Sequence, residues 1–358
     1  MLTNSILGIG LKFTCSLLHA ENNIVNKIPA TFEVFKMNLP ELKDIWSISE
    51  HNFNDIALEL FQYQAKNNAV YAEYLKLIDQ QPKLVKHYTQ IPFLPISFFK
   101  THNVVSGNFT AETIFESSST TGKNTSKHFV ANLNHYHKNA VRIFNLLIGN
   151  LSDYEFYGLL PNYLERKNSS LVSMVQYFMQ LNQQPYAFYL NNHADLHNAL
   201  MKPSKKKKLL FGVSFALLDF ADEYNFEGNI TIVETGGMKG RKKEVTKDEV
   251  YREIKAAFPK AKLISEYGMT ELLSQAYSNE NALYNCPPWM KVLPRADNDP
   301  LQLISNEKNG ALNIIDLANT KSCAFIATDD LGKVYKNGSF EVIGRLDYAD
   351  IRGCSLMI

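Results

Sequence analysis

Two short stretches of the chain carry the residue types best suited to chemistry, and the first is rich in hydroxyl groups. It consists of Ser117, Ser118, Ser119, Thr120, Thr121, Gly122 and Lys123. Such a run suits a loop that wraps polyphosphate through backbone N–H groups, hydroxyls and one lysine ammonium group. The Walker pattern G-x-x-x-x-G-K-[ST] is absent, so we predict a phosphate-binding loop of another kind.

The second stretch combines several side-chain chemistries within a few residues. It consists of Tyr267, Gly268, Met269, Thr270 and Glu271. The aromatic ring suits stacking on a base, the glycine permits close approach of a ligand, the hydroxyl suits a phosphate and the carboxylate suits Mg²⁺. Together, and in this order along the chain, the two stretches predict an ATP site that activates a carboxylic acid as its acyl-adenylate.

The composition argues against several other classes of protein. With 358 residues, the chain is long enough for one large domain with subdomains, or for two domains. Its 37 Lys and Arg against 36 Asp and Glu give a net charge of +1, so no overall charge recruits nucleic acid or an anionic membrane. No apolar run approaches the ~18 residues that a membrane span needs.

Cysteine usage points to a reducing compartment. The four cysteines are Cys15, Cys286, Cys323 and Cys354, and none forms a C-x-x-C pair. Neither a zinc site nor a disulfide framework is therefore predicted, and a cytoplasmic location fits this pattern.

Residues 1–36 form a separate N-terminal segment. Part of it faintly resembles the apolar region of a signal peptide, but no positive charge precedes that region and Lys12 interrupts it. We expect Met37 to be the natural start and residues 1–36 to be a non-native extension.

An α/β pattern must position the two stretches. Helical spacing of apolar residues covers 53–79, 134–148 and 168–182, and apolar strand-like runs cover 154–160, 208–215 and 229–233. This alternation predicts a sheet covered by helices. Ligands bind at the carboxyl ends of strands in such sheets, so the Gly236-Gly237 turn and Tyr267, each following a strand-like run, are expected to converge on one site.

From about residue 300 the pattern changes to short strands separated by glycine turns. Strand-like runs cover 312–317, 323–328 and 340–343, with turns expected at Asp330-Leu331-Gly332 and Asn337-Gly338. This pattern predicts a small antiparallel β-subdomain.

These residues resemble a known family over roughly residues 50–358. The chain is similar to the adenylate-forming ligases, which include acyl-CoA synthetases and firefly luciferase, and more narrowly to the LuxE-type acyl-protein synthetases. The Ser/Thr/Gly loop and the Tyr-Gly-x-Thr-Glu motif of that family match residues 117–123 and 267–271. Its Thr-Gly-Asp motif resembles Thr328-Asp329-Asp330, and its Gly-Arg-x-Asp hinge resembles residues 344–347.

The resemblance implies a role for each matched position. The phosphate loop, with Thr120, Thr121 and Lys123, would hold the β- and γ-phosphates of ATP, and Gly236 and Gly237 would line the adenine side. In the second motif, Tyr267 would stack on adenine next to Gly268, Thr270 would contact the α-phosphate and Glu271 would bind Mg²⁺. In the β-subdomain, Asp330 would bind the ribose diol and Arg345 would lie near ribose or phosphate. Ser119 stands where the family usually has glycine, which would stiffen the loop.

The resemblance also implies an acyl acceptor. Typical ligases carry a further small lid domain after the hinge; this chain stops at Ile358, so we expect the lid to be absent, as in the acyl-protein synthetases. In that group a cysteine near the C-terminus holds the acyl group as a thioester, and Cys354 matches it. A thiolate is a good nucleophile toward a mixed anhydride, which agrees with this role.

The expected fold is thus α/β, with a large adenylate-forming domain at residues 37–299 and a β-subdomain with the acyl-acceptor segment at residues 300–358. The expected cofactors are ATP and Mg²⁺, the substrate is a fatty or aryl carboxylic acid, and the partner is an acyl reductase or another acceptor protein. Two alternatives stay open: a ligase that passes the acyl group to coenzyme A or a carrier protein, and a catalytically degenerate nucleotide-binding subunit of a reductase complex.

Three of the matched residues also have ordinary structural explanations. Tyr267 could pack in the core, Glu271 could be an exposed acid in the first turn of a helix, and Asp330 could start a turn before Gly332. Burial and backbone conformation distinguish these alternatives.

Overall fold

The structure of the chain, a computed structural model, describes residues 45–117, 125–160, 168–236, 246–278, 282–297 and 299–346. Contacts divide the chain into unit 1, Met1–Thr110 with Pro288–Ile358, and unit 2, Ala111–Pro287. The three-segment division based on sequence character stays a prediction.

The described helices and strands alternate through most of the chain. The α-helices are α1 (Phe53–Asn67), α2 (Ala69–Leu77), α3 (Phe98–Thr101), α4 (Leu133–Leu147), α5 (Ser170–Leu181), α6 (His193–Met201), α7 (Ser214–Glu223) and α8 (Lys247–Ala257). The strands are β1 (Leu94–Pro95), β2 (Thr113–Glu116), β3 (Lys127–Val130), β4 (Tyr154–Leu159), β5 (Lys207–Val213), β6 (Ile230–Thr235), β7 (Ala261–Tyr267), β8 (Ala276–Ser278), β9 (Tyr284–Asn285), β10 (Met290–Arg295), β11 (Asn309–Asp316), β12 (Phe325–Val334) and β13 (Phe340–Arg345).

Unit 2 is built on four parallel strands. Intervening helices return the chain to the start of each next strand, so β4 to β7 pair side by side in parallel. The antiparallel strands β8 and β9 extend this sheet next to β7. A separate antiparallel pair, β2 and β3, flanks the hydroxyl-rich stretch.

One face of the parallel sheet carries a continuous apolar row. Tyr157, Leu210, Ile232 and Leu263 occupy partnered positions on β4, β5, β6 and β7 and are buried. They belong to a cluster that includes Leu196 of α6, Leu217 of α7 and Ile254 of α8. Each such aliphatic side chain contributes about 1.5–3 kcal/mol when buried, so this face fixes α6, α7 and α8 against the strands.

The opposite face is aromatic. Phe144 of α4 lies 5.6 Å from Phe156 of β4 and 5.3 Å from Phe178 of α5, measured between ring centroids. Phe156 in turn lies 6.5 Å from Phe211 of β5. Helices therefore cover both faces of the sheet, which confirms the predicted α/β architecture.

Unit 1 contains the antiparallel sheet β10-β11-β12-β13, with β1 added parallel to β12. Phe325 of β12 packs against Phe61 of α1 and Tyr71 of α2, with centroids 5.9 and 6.4 Å away. The predicted antiparallel β-subdomain is confirmed. Among the residues that the structure describes, no helix is long and apolar enough to cross a membrane.

The turn expected at Asp330-Leu331-Gly332 is wrong, because these residues lie inside β12. The pairing with β13 shifts register between Leu331 and Gly332, so the irregularity is a bulge in the strand. A Cβ atom at Gly332 would lie 2.1 Å from the carbonyl oxygen of Glu341 on β13. The glycine is required by this close approach of the neighbouring backbone.

Candidate active site

Two of the predicted nucleotide-site positions lie side by side at the carboxyl edge of the parallel sheet. Thr235, the last residue of β6, is the register partner of Glu266, and Tyr267 ends β7. Gly236 follows β6 with a φ of +69°, a left-handed conformation that favours glycine. The chain thus turns away from two adjacent strands at the edge where open α/β sheets bind ligands.

A buried hydrogen bond joins these two strand ends. The Thr235 hydroxyl donates to Oε2 of Glu266 over 2.6 Å, and both residues are buried. Glu266 extends over Gly268, where a Cβ atom would lie 2.2 Å from its Oε1. The group that requires a glycine at position 268 in this structure is thus a carboxylate of the protein, and the predicted close approach of a ligand stays a prediction.

A second polar cluster supports the backbone before Gly236. The Ser214 hydroxyl, at the start of α7, bonds both Oε1 of Glu234 and the carbonyl oxygen of Gly236. Ser265 of β7 donates to Oε2 of Glu234 over 2.6 Å and lies 2.8 Å from the Tyr251 hydroxyl. Side chains from α7, α8 and β7 thus fix the turn.

Tyr267 has the packing role that the structural alternative predicted. It is 8% exposed, and its ring meets Tyr284 edge to face with centroids 5.7 Å apart. Lys247, at the start of α8, donates to the Tyr284 hydroxyl over 2.8 Å. Burial lowers the pKa of Lys247 and raises that of Tyr284. Stacking of Tyr267 on adenine stays a prediction.

The exposed-helix explanation of Glu271 is wrong. Glu271 is 4% exposed and lies in a turn between β7 and β8, outside any helix. The neighbouring Thr270 is half-buried, and its carbonyl oxygen lies 2.8 Å from Nδ1 of His128 on β3. A carboxylate residue is seldom buried to this extent without a functional or structural partner, and its oxygens are ligands that Mg²⁺ prefers.

The hydroxyl-rich stretch begins at the end of β2. Ser117 closes the β2–β3 hairpin, because its N–H donates to the Ser126 carbonyl over 3.1 Å and its hydroxyl accepts from the Ser126 N–H over 2.9 Å. The remaining predicted phosphate contacts, Ser118 to Lys123, lie outside the described residues, as do Gly237 and Cys354.

The predicted ribose ligand and hinge arginine meet in unit 1. Nε of Arg345 lies 2.9 Å from Oδ1 of Asp330, with side chains 76% and 8% exposed. Asp330 lies within β12, so its explanation as a turn-starting residue is wrong. An acid that is mostly buried while its arginine faces solvent leaves the guanidinium accessible to an anionic ligand.

Sequence reasoning missed a buried arginine beside this pair. Arg295 of β10 donates to the carbonyl oxygens of Thr328, over 2.8 Å, and Ala296, over 3.1 Å. It thereby fixes the backbone just before Asp330. The sequence signal that could have identified Arg295 was its position as a charged residue at the end of a mostly apolar strand. His128 and Asn139 of unit 2 were also missed as contributors, and both are buried polar residues.

The described residues suit Mg²⁺ that is bound jointly by the protein and by nucleotide phosphates, not by the protein alone. Among the described residues, no group of three or more His, Cys, Asp or Glu side chains could hold a metal ion. Mg²⁺ is commonly bound by one or two carboxylates together with substrate phosphates. A single carboxylate, that of Glu271, is therefore enough on the protein side. No dedicated protein cage is implied.

Comparison with known proteins identifies the family. The model of the family described as Acyl-protein synthetase, LuxE, matches residues 170–358, more than half of the chain but not the hydroxyl-rich stretch. A long-chain-fatty-acid–luciferin-component ligase of Aliivibrio fischeri is 26% identical over 180 residues, which are 45% of this chain and 47% of that protein. The chain thus spans about half the length of this curated relative.

Solved structures establish the fold. A 2-hydroxyisobutyryl-CoA ligase in the postadenylation state matches with a TM-score of 0.64 and 12% identity, over 90% of this chain and 75% of that one. An ATP-bound RpMatB-BxBclM chimera matches with a TM-score of 0.50 and 14% identity, over 67% of this chain and 49% of that one. The fold is that of the adenylate-forming enzymes. With its sequence matched by the family model over more than half its length, the chain belongs to the LuxE acyl-protein synthetase family.

Proposed function

We propose that this chain uses ATP to activate a carboxylic acid as acyl-AMP and then transfers the acyl group to the thiol of Cys354. The observation that carries the proposal is the alignment of the β6 and β7 ends, which puts Gly236 beside the Tyr267–Glu271 stretch. Membership of the LuxE family supports the same activity.

In the first step, a carboxylate oxygen of the acid attacks the α-phosphorus of ATP. The bond from that phosphorus to the bridging oxygen breaks, and pyrophosphate leaves. Thr270 contacts the α-phosphate, while Thr120, Thr121 and Lys123 hold the β- and γ-phosphates. Catalysis here is mainly positioning and charge stabilisation. Glu271 would hold Mg²⁺, which would supply positive charge against the phosphates.

In the second step, the Cys354 thiolate attacks the carbonyl carbon of acyl-AMP. The bond from that carbon to the phosphate oxygen breaks, AMP leaves, and the thiol proton passes to solvent. The product thioester keeps the acyl group activated for delivery to a reductase or another acceptor. Cys323 is unsuited to this role because it is fully buried, and burial raises the pKa of its thiol to about 12.

The name of the curated relative guides the choice of acid. That protein is a long-chain-fatty-acid ligase, so long-chain fatty acids are the first substrates to test, ahead of aryl acids. The same name describes a luciferin-component ligase, which supports an acceptor protein that uses the activated acyl group.

Intact-mass measurement after incubation with Mg-ATP and a panel of fatty and aryl acids tests the proposal. We expect an adduct of acyl mass that hydroxylamine removes and that Cys354→Ala abolishes. Cys286→Ala is the matched control, because Cys286 is half-buried in unit 2 and is the other cysteine of the described residues besides the fully buried Cys323; this variant should retain the adduct.

The remaining outcomes separate the alternatives. Pyrophosphate release without an adduct in the unmodified protein would contradict self-acylation and favour transfer to coenzyme A or a carrier protein. ATP binding without pyrophosphate release, for every acid in the panel, would contradict catalysis altogether and favour a nucleotide-binding subunit.

A further inference from the structure

The backbone that carries Thr270 and Glu271 has little regular structure of its own. β7 ends at Tyr267 and β8 begins at Ala276, and within this connection the Leu272 N–H donates to the Met269 carbonyl oxygen over 3.1 Å. A sheet ladder therefore does not determine where Glu271 lies. Buried backbone groups in such a connection must bond to side chains or water, which makes those side chains decisive for its position.

Two side chains outside the motif supply such bonds. His128 is 1% exposed, and its Nδ1 lies 2.8 Å from the Thr270 carbonyl oxygen. A carbonyl oxygen only accepts, so Nδ1 carries the hydrogen. Asn139 of α4 is fully buried, and its Nδ2 donates to the Leu273 carbonyl over 2.9 Å and to the Ser274 hydroxyl over 3.1 Å. Glu271 lies between these two attachment points.

The same elements hold the start of the hydroxyl-rich stretch. His128 belongs to β3 and is the register partner of Phe115 on β2. Two residues earlier, Ser126 exchanges hydrogen bonds with Ser117. α4, which carries Asn139, begins shortly after β3 ends. The hairpin and α4 are thereby joined to the backbone on both sides of Glu271.

We propose that His128 and Asn139 are positioning residues that fix the Thr270–Ser274 backbone to the β2–β3 hairpin and α4, so that Ser117, where the hydroxyl-rich stretch begins, and Glu271 keep one relative position. This inference rests on the proposed function, because it assigns these residues to ATP activation.

The test compares His128→Gln with His128→Asn in the full-length protein. The asparagine amide nitrogen takes approximately the place of Nδ1 and retains the donor, whereas the glutamine amide takes the place of Nε2 and loses it. In acid-dependent ATP–pyrophosphate exchange, we expect His128→Gln and Asn139→Leu to lower kcat about tenfold and to raise the Mg²⁺ concentration for half-maximal rate. His128→Asn should stay within about threefold of the unmodified protein.

Tyr136→Phe is the matched structural control. Tyr136 is buried on α4, and its hydroxyl donates to the Ser170 carbonyl oxygen over 3.0 Å, a residue of α5 outside the Thr270–Ser274 backbone. This variant also loses one bond from a buried side chain to a carbonyl oxygen, so its unfolding temperature should fall while kcat and the Mg²⁺ dependence stay unchanged.

Three results would overturn the inference: unchanged exchange in His128→Gln and Asn139→Leu, equal impairment of His128→Asn, or equal impairment of Tyr136→Phe. Absence of exchange in the unmodified protein is a different failure, because it rejects the proposed function itself. In that case the hydrogen bonds from His128 and Asn139 to the Thr270–Ser274 backbone serve only the stability of the fold.

Discussion

The Glu266 carboxylate extends over Gly268, just after the end of β7. Replacing Gly268 with alanine tests whether this close packing stabilises the protein. The added Cβ atom would lie 2.2 Å from Oε1 of Glu266. Nonbonded carbon and oxygen atoms do not approach so closely, so the carboxylate must move by roughly 1 Å. The move breaks the 2.6 Å bond from Thr235, because that donor is held on the adjacent strand.

The magnitude follows from the bond that is lost. A hydrogen bond to a charged group contributes about 1.5–3 kcal/mol to stability. Reduced backbone freedom of alanine in the unfolded chain offsets about 0.4–1 kcal/mol of this loss, since the φ of Gly268 lies outside the left-handed region. We expect Gly268→Ala to lower the free energy of unfolding by about 1–2 kcal/mol in urea denaturation.

Two variants make the assay decisive. At Gly344 a Cβ atom would have nothing within 4 Å, so Gly344→Ala should leave stability unchanged or slightly raised. In a Glu266→Ala background the clashing oxygen is absent, so Gly268→Ala should cost little more there. An equal cost of Gly268→Ala with and without Glu266 would refute the steric explanation, because a double-mutant cycle detects only interacting pairs.

Two further predictions concern titration and the ribose pair. Burial lowers the pKa of His137 from 6.5 to about 4. The unfolded chain therefore binds a proton at this histidine more readily than the folded chain does. The free energy of unfolding should fall as the pH drops from about 6.5 toward 4, by up to ~1.4 kcal/mol per pH unit. His137→Gln, which can keep the bond that Nε2 makes with Ser173, should flatten this part of the urea-stability profile; an unchanged profile would refute the assignment. Arg345→Ala should change the free energy of unfolding by less than about 1 kcal/mol, because the pair is mostly exposed on the arginine side. The same variant should raise the KM for ATP about tenfold in pyrophosphate exchange if the arginine contacts the nucleotide, and an unchanged KM would reject that contact.

The elements of unit 2 were predictable because local patterns and packing agree there. The apolar run at 229–233 became β6, and the helical spacing at 134–148 became α4, which spans Leu133–Leu147. Alternating strand-like and helical segments leave few topologies other than a parallel sheet covered by helices. The same reasoning failed at Asp330-Leu331-Gly332, where glycine is required by the approach of β13 and does not form a turn.

Burial of the site residues was not predictable from local sequence. The sequence left Glu271 open between a Mg²⁺ ligand and an exposed acid of a helix, whereas in the fold it is 4% exposed, between backbone positions bonded by His128 and Asn139. For Tyr267 the sequence left stacking on adenine and core packing open; the fold shows its contact with Tyr284, a residue brought close by the antiparallel strands β8 and β9.

The amino-acid sequence by itself determined the chemistry available to this protein: a hydroxyl-rich stretch, the Tyr-Gly-Met-Thr-Glu motif, an acid and an arginine in the β-subdomain, and the α/β class. These follow from residue types and short spacings, which are properties of the chain before it folds. The tertiary structure decided which of those groups are buried and what holds them in place. His128 and Asn139 could not be linked to Thr270 and Leu273 from the sequence, because such hydrogen bonds depend on strands and helices far apart in the chain packing together.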